Sequence, residues 1–453
     1  MYKVVQVNQY DLFGGAARAA YRIHTCINRW GGSDGFQSTM RVIHKQTDDS
    51  SVVGGFPRNQ NLVLRRLAPM LNRKARYGFQ TRNPILHSIA WPNTGLGKEL
   101  KQSYFNNQID IVNLHWLGDY TISIEEIGSL RMPMIWSLHD QWAFCGAEHY
   151  SNLILPSEAS NSDERFTAGY SPASRPVHDS GPDLNRRTWL RKHRAWRRPI
   201  HIVCSSNWLA DCVRRSTLMG NWPVSVIPCP IDLNVWAPLS KIQARAILGL
   251  PSDRPLVLFG AIGGSCDPRK GAHLLLEALQ RLRIQVANSP LEQLELMIFG
   301  QSRPAQPPEL GFPIHYSGHL HDDLSLRLHY TAADVMVVPS LQEAFGQTAS
   351  EAHACGTPVV AFKTGGLVDI VDPHITGALA QPFDPLSLAS AIRWVLEDSQ
   401  RNHQLGLAAR RRAELLWDSA RVAGLYGNVY NIVLDNHSMT DPDDLPGAIK
   451  LKA

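Results

Sequence analysis

The stretch Val338-Pro-Ser-Leu-Gln-Glu-Ala-Phe-Gly-Gln-Thr-Ala-Ser-Glu-Ala-His-Ala-Cys-Gly-Thr-Pro358 lies between two apolar runs, Asp334-Val-Met-Val-Val-Pro339 and Pro358-Val-Val-Ala361. Short, almost unbroken apolar runs of this kind read as buried strands. Between them a loop ends in Phe345-Gly346 and a short helix follows. Gly356 is placed to end that helix and Pro358 to prevent its return. Glu343 therefore falls in the loop and Glu351 on the helix. The free backbone N–H groups near Gly346 and Gln347 lie at a helix start, where an anionic phosphate binds well. A carboxylate can accept hydrogen bonds from two hydroxyls, as sugars and riboses require. Two carboxylates flanking an anion site suit a sugar nucleotide, one for the sugar and one for the ribose, with the diphosphate at the helix end. The competing reading is two solvated acids on an ordinary loop and helix.

At 453 residues the chain is too long for one ordinary core, and two domains are expected. Apolar residues make up 44% and charged residues 19%, the balance of a globular protein. The seven cysteines are odd in number and scattered, with no C-x-x-C pair, which argues against a disulfide framework or a zinc site and for a reducing compartment. The chain enters a strand at Met1-Tyr-Lys-Val-Val-Gln-Val, without the apolar region of a signal peptide. No apolar run approaches the roughly 18 residues that a transmembrane helix needs. A cytoplasmic protein is expected. The net charge of +5 is too mild to indicate nucleic acid.

Working outward, Lys3–Asn8 reads as a buried strand, with Gly14-Gly15 at the turn into a helix running to Trp30, so that backbone amides there can approach a ligand closely. The pattern is not G-x-G-x-x-G, which excludes a nicotinamide fingerprint. Two strands, Ile109–Leu114 and Met134–Leu138, end in His115-Trp116 and His139-Asp140. Ligands of open α/β sheets bind outside the carboxyl ends of strands, so His115, His139 and Asp140 can converge on one cleft. Residues 151–185, rich in Ser, Pro, Asp and Gly, read as a mobile insertion. Two basic segments interleaved with apolar residues, 61–82 and 185–198, fit an anionic membrane surface; Trp189, Leu190 and Trp196 are the apolar members of the second. The competing reading is a solvated helix. A strand over Leu256–Gly260 opens a second domain, followed by a Gly-rich loop with Arg269-Lys270 and a helix from Ala272. Lys270 can neutralise a phosphate as a point charge and Arg269 can add a planar fork.

Glu343-x7-Glu351, with Phe345-Gly346 between and Gly356-Thr-Pro-Val-Val after, closely resembles the signature of retaining GT-B glycosyltransferases of family 4. The run Leu138-His-Asp-Gln-Trp-Ala-Phe-Cys-Gly-Ala-Glu-His-Tyr150 resembles the colanic-acid-type, exopolysaccharide branch of that family. The resemblance implies an α/β fold, GT-B, with two doubly wound Rossmann-like domains facing across a cleft. It divides the chain into an acceptor-side domain 1–232 with an insertion at 151–198, a nucleotide-sugar domain 233–410, a helix 411–435 crossing back to the first domain, and a tail 436–453. It implies His139 near the anomeric carbon as catalytic group, with Glu343 on the sugar hydroxyls. Donor contacts implied are Gly14, Gly15, Lys270, Phe345, Gly346, Gln347, Glu351 on the ribose, and His319 and Leu320 bordering the base. Acceptor-side residues are His115, Asp140 and His149. The family's usual arginine, a few residues upstream of the lysine, is replaced by Ala261-Ile-Gly-Gly, and Arg269 is the candidate substitute.

The implied activity moves a hexose, with retention, from a nucleotide diphosphate sugar to a glycan acceptor, lipid-linked, in exopolysaccharide or capsule synthesis. No cofactor and no metal are expected, and no nucleic-acid partner. The localisation expected is cytoplasmic, peripheral on the inner face of the plasma membrane. Rival readings are a GT-B sugar-nucleotide epimerase or phosphorylase, and a non-catalytic glycan- or membrane-binding protein.

Overall fold

The computed structural model describes residues 1–32, 35–57, 67, 69, 70, 72, 78, 86–151, 165–177, 179–260 and 267–440. The chain forms two compact units, one comprising residues up to Pro230 together with Ala420 onward, the other Ile231–Ser419.

The first unit is built on β1 (Tyr2–Tyr10), α1 (Gly15–Trp30), β2 (Phe36–His44), β3 (Val52–Val53), α2 (Leu96–Phe105), β4 (Ile111–Leu114), α3 (Ile124–Gly128), β5 (Met134–Leu138), α4 (Leu184–Ala195), β6 (His201–Cys204), α5 (Asn207–Arg215) and β7 (Val224–Val226). All seven strands are parallel, in the order β3-β2-β1-β4-β5-β6-β7. β1 and β4 are buried on both faces and mostly apolar, with Gln6, Asn8, Gln9 and Asn113 as buried polar exceptions. The order reverses between β1 and β4, and at such a switch point a crevice opens at the carboxyl ends of the strands.

The second unit contains α6 (Lys241–Leu248), β8 (Leu256–Gly260), α7 (Ala272–Gln285), β9 (Glu295–Phe299), β10 (Ile314–Tyr316), α8 (Asp323–Ala332), β11 (Val335–Val338), α9 (Gln347–Ala354), β12 (Val359–Phe362), α10 (Leu367–Ile370), β13 (Gly377–Ala380), α11 (Pro385–Leu396) and α12 (Ser399–Leu416). Its six parallel strands run β10-β9-β8-β11-β12-β13, with the reversal between β8 and β11. The core joins Val257, Leu296, Val337 and Val360 from one face of the sheet with Leu279 of α7 and Ile392 of α11 packed on it.

A single helix is expected over 411–435. The structure breaks it at Trp417-Asp418 into α12 and α13 (Ser419–Thr440). Trp417 is buried and stacks on His353, and Ile231 N donates to the Trp417 carbonyl, so the chain turns there. α13 then packs in the first unit: Val422, Tyr426, Val429 and Tyr430 join Val4, Ile27, Phe36 and Ile135 in one cluster. Each apolar side chain buried this way contributes roughly 1.5–3 kcal/mol.

The segment 151–185 also differs from expectation. Residues 152–164 and 178 lie outside the described residues, but from Arg165 onward the chain is packed: Phe166 meets Phe144 at 5.1 Å, Tyr170 is 1% exposed, and Arg165 pairs with Asp183 at 2.6 Å. The polar composition hid two core aromatics.

Candidate functional site

In the second unit, the loops after β8 and β11 meet beside the switch point. A short 3-10 turn, Pro268–Lys270, capped by the Asp267 carboxylate accepting from Arg269 N, presents Lys270. Gly271 ends it at φ 69°, and a Cβ there would lie 1.8 Å from the Pro339 carbonyl oxygen. Only a glycine lets these two loops come this close. Leu341 N donates to the Arg269 carbonyl at 2.7 Å, which clamps them together. The Lys270 ammonium donates to Glu343 Oε2 at 2.6 Å, and Arg269 Nη1 lies 3.7 Å from the same oxygen. Burial alone would raise the Glu343 pKa, but these two cations outweigh it and hold the carboxyl below its ordinary value. Burial holds the Lys270 ammonium below its ordinary value, with Glu343 opposing.

Gly346 caps α9 at its N-terminus, and Gln347 is the first helical residue. Glu351 lies one turn on, 4% exposed, and accepts from the Tyr330 hydroxyl at 2.8 Å. Tyr330 belongs to α8 and is a site residue that sequence reasoning missed, since nothing in its neighbourhood signals a partner. The Arg269 fork is largely occupied: Nη1 donates to the Gln342 carbonyl and Nη2 to Asp267. His319 and Leu320 follow β10 beyond Gly318, whose carbonyl accepts from Gly300 N. The Gly-rich loop 261–266 lies outside the described residues.

In the first unit, Gly14 is the N-cap of α1, with Gly15 its first residue. His115 leaves β4 and His139 leaves β5, and the two rings stack at 5.3 Å with His115 Nδ1 3.0 Å from His139 Nε2. His115 is 2% exposed, so it backs His139 rather than standing at the surface. Burial lowers the His139 pKa to about 4, with Asp140 opposing, and lowers His115 well below its ordinary value. Asp140 Oδ2 accepts from Trp116 Nε1 at 2.7 Å and meets His149 Nδ1 at 2.6 Å. His149 Nε2 in turn meets Ser88 Oγ at 2.7 Å. Burial opposes ionisation of Asp140, and His149 together with Trp142 N holds its pKa below the ordinary value. Asp140 and His149 are thus committed to a buried network; Trp116 and Ser88, which complete it, were not legible as partners in the sequence.

The basic segments fare differently from their reading. Most of 61–82 lies outside the described residues. In 185–198, Trp189 and Trp196 are buried, with Trp196 edge-on to Trp136 at 5.2 Å. Lys192 is fully buried and donates to the carbonyls of Trp142, Cys145 and Gly146. Arg191 pairs with Glu125 at 2.7 Å. The tryptophans expected at a membrane are therefore core residues, and Arg187, Arg194, Arg197 and Arg198 remain as exposed cations. Among the described residues, no helix is long and apolar enough to cross a membrane.

Residues 240–412 match the family of glycosyl transferases group 1. The match takes in Arg269, Lys270, Glu343 and Glu351 and none of the first unit. A D-inositol 3-phosphate glycosyltransferase of Xylanimonas cellulosilytica is 35% identical over 219 residues, 45% of this chain and 50% of that protein. The chain spans about half the length of the curated relatives it matches. Among solved structures, sucrose-phosphate synthase of Thermosynechococcus elongatus is similar with a TM-score of 0.64 at 20% identity, covering 96% of this chain and 100% of that one. Anabaena HepE, solved with UDP-glucose, is similar with a TM-score of 0.61 at 15% identity, covering 95% and 100%. The fold is two parallel-sheet, Rossmann-like α/β domains, as in solved GT-B glycosyltransferases.

Proposed function

We propose that the chain is a retaining glycosyltransferase that moves a hexose from a nucleotide diphosphate sugar to a hydroxyl of a glycan. The observation that carries this is the Lys270–Glu343 pair, 2.6 Å apart at the switch point of the second sheet and inside the stretch that matches glycosyl transferases group 1. Lys270, with the N–H groups at Gly346 and Gln347, takes the charge that develops on the departing diphosphate. Glu343 holds the sugar hydroxyls, Glu351 the ribose, and His139 the region of the anomeric carbon. The positive charge of Lys270 and of the N–H groups at Gly346 and Gln347 lets the reaction run without a bound divalent ion.

The acceptor is a lipid-linked glycan of exopolysaccharide or capsule assembly, reached at the inner membrane surface. The run from Leu138 to Tyr150 supports this reading, and exposed Arg187, Arg194, Arg197 and Arg198 would face anionic headgroups. A second reading, a phosphorylated polyol as acceptor, is favoured by the 35% identity to a D-inositol 3-phosphate glycosyltransferase. The test is release of nucleotide diphosphate from a panel of UDP-, GDP-, dTDP- and ADP-sugars. Each is assayed alone, with membrane extract, and with inositol 3-phosphate. Release that needs one donor and the extract supports the glycan reading, and release that needs inositol 3-phosphate supports the second. No release together with no nucleotide-induced thermal shift would overturn both.

A further inference from the structure

A hydrogen-bonded chain runs through the first unit from His139 to Asp49, and its direction is decided at the far end. Asp49 is a carboxylate: burial opposes its ionisation, but hydrogen bonds from Ser51 and Tyr21 hold its pKa below the ordinary value. An ionised carboxylate only accepts. Ser51 Oγ, 2.6 Å from Asp49 Oδ1, must therefore donate its proton there. Its oxygen is then free to accept from His24 Nε2 at 2.9 Å. Burial keeps His24 neutral, so with Nε2 protonated its Nδ1 accepts, and the group 2.9 Å away is Ser38 Oγ. Ser38 has spent its proton and accepts from Gln6 Nε2 at 3.1 Å. That orientation turns Gln6 Oε1 toward His115 Nε2, 2.8 Å away, and toward Asn113 Nδ2, 2.7 Å away, both donors. His115 is neutral and uses Nε2–H on Gln6, so its Nδ1 accepts, and the donor 3.0 Å away is His139 Nε2. The opposite polarity would take the Ser51 proton away from the carboxylate beside it.

We propose that this chain fixes His139 as the Nε2–H tautomer with a bare Nδ1, so that His139 takes a hydrogen bond from a substrate hydroxyl rather than giving one. Gln6, His115, Ser38, His24, Ser51 and Asp49 are positioning residues, since they act through His139. That His139 meets a sugar hydroxyl rests on the function proposed above; the tautomer does not.

The test separates the two. Nitrogen-15 NMR of the full chain labelled at histidine, with the His139 signals assigned by their loss in His139→Ala, reads the tautomer without any substrate. The expected wild-type result is one species, protonated at Nε2. Asp49→Asn introduces a donor at the anchor and Ser38→Ala cuts the chain midway, and each is expected to give a mixture of the two tautomers. With a donor sugar that the wild type turns over, the initial rate of each variant is expected to fall in proportion to its remaining Nε2–H fraction, with KM unchanged. Wild-type His139 protonated at Nδ1, or a single unchanged tautomer in both variants, would overturn the proposal. The expected tautomers without nucleotide diphosphate release and without a nucleotide-induced thermal shift in the wild type would refute the transferase reading alone.

Discussion

Replacing Lys270 by Met tests the proposed site at its centre, because it separates two things the ammonium does. It is the nearest cation to the Glu343 carboxylate, at 2.6 Å, with side chains only 23% and 14% exposed. Removing one partner of such a pair leaves a poorly solvated charge, at a cost of about 3–5 kcal/mol. Arg269 remains 3.7 Å from the same oxygen, so the lower end of that range is expected. For a unit of this size about 3 kcal/mol lowers the melting temperature by roughly 6–12 °C. The second role is chemical. A preorganised positive group aimed at developing charge is worth about 100–1,000-fold in kcat, roughly 2.7–4 kcal/mol of barrier. The double variant Lys270→Met/Glu343→Gln distinguishes the roles, since it abolishes the stranded carboxylate. Its melting temperature should recover most of the loss while nucleotide diphosphate release stays at least 100-fold below wild type, of the size expected when such a charge is lost. Both quantities come from scanning calorimetry and a coupled diphosphate assay on the same preparations. Turnover within threefold of wild type in Lys270→Met would refute the role on the diphosphate. Recovery of turnover together with stability in the double variant would reduce Lys270 to a partner of Glu343.

Three further outcomes follow from single contacts. Tyr330→Phe removes the hydroxyl that donates to Glu351 at 2.8 Å. A hydrogen bond to a charged group is worth about 1.5–3 kcal/mol, so KM for the donor should rise roughly tenfold or more with kcat little changed, and an unchanged KM would detach Glu351 from the nucleotide. Gly271→Ala places a methyl 1.8 Å from the Pro339 carbonyl at φ 69°, whereas Gly318→Ala meets nothing within 4 Å at φ 67°. The control should lose only the left-handed backbone penalty, about 1–2 kcal/mol, and Gly271→Ala at least twice its drop in melting temperature; equal drops would deny that the two loops close so tightly. Lys192, fully buried, has its pKa pushed down by burial from 10.5 to about 7. The unfolded chain therefore binds the proton more tightly between pH 7 and 10.5, and stability rises with pH across that window, by about 2 kcal/mol between pH 7 and 9. The three carbonyls around the ammonium favour its charged form and make that an upper figure. The difference in melting temperature between wild type and Lys192→Met should narrow or widen with pH in step with this gain, and a pH-independent difference would refute it.

The strands were legible because a central parallel strand is buried on both faces and is therefore mostly apolar. β1, β4, β8, β9, β11 and β12 all carry that mark. Two strands that lack that mark are Val52–Val53, too short for any pattern, and Gly377–Ala380, a Gly-Ala-Leu-Ala run without a β-branched residue. The burial of Trp189 and Trp196 in the second basic segment was hidden for a different reason. Trp189, Lys192 and Trp196 recur at helical spacing and share an inward face, which the density of arginine around them disguised as an amphipathic surface. A lysine seldom enters a core, and this one does so only because three carbonyls of the 142–146 turn point at it.

Within the second site, the sequence named Lys270 and Glu343 separately, 73 positions apart, and topology alone joins them. The loops after β8 and β11 are neighbours because the strand order reverses there, and a glycine at 271 lets them touch. That juxtaposition has a chemical consequence the separate residues do not carry. With no diphosphate present, the lysine and the carboxylate satisfy one another, so neither is an unpaired buried charge. An arriving diphosphate brings more negative charge than one carboxylate and competes for the ammonium. On the proposed function, Lys270 would turn to it, and Glu343 would lose its nearest cation and become a stronger acceptor for sugar hydroxyls, with Arg269 still 3.7 Å away. Binding of the two halves of a nucleotide sugar would then be coupled through one ion pair. Nucleotide diphosphate alone should bind more tightly to Glu343→Gln than to wild type, since the lysine no longer has to be drawn from a carboxylate. Weaker binding in that variant would mean the pair is structural and the anion lies elsewhere.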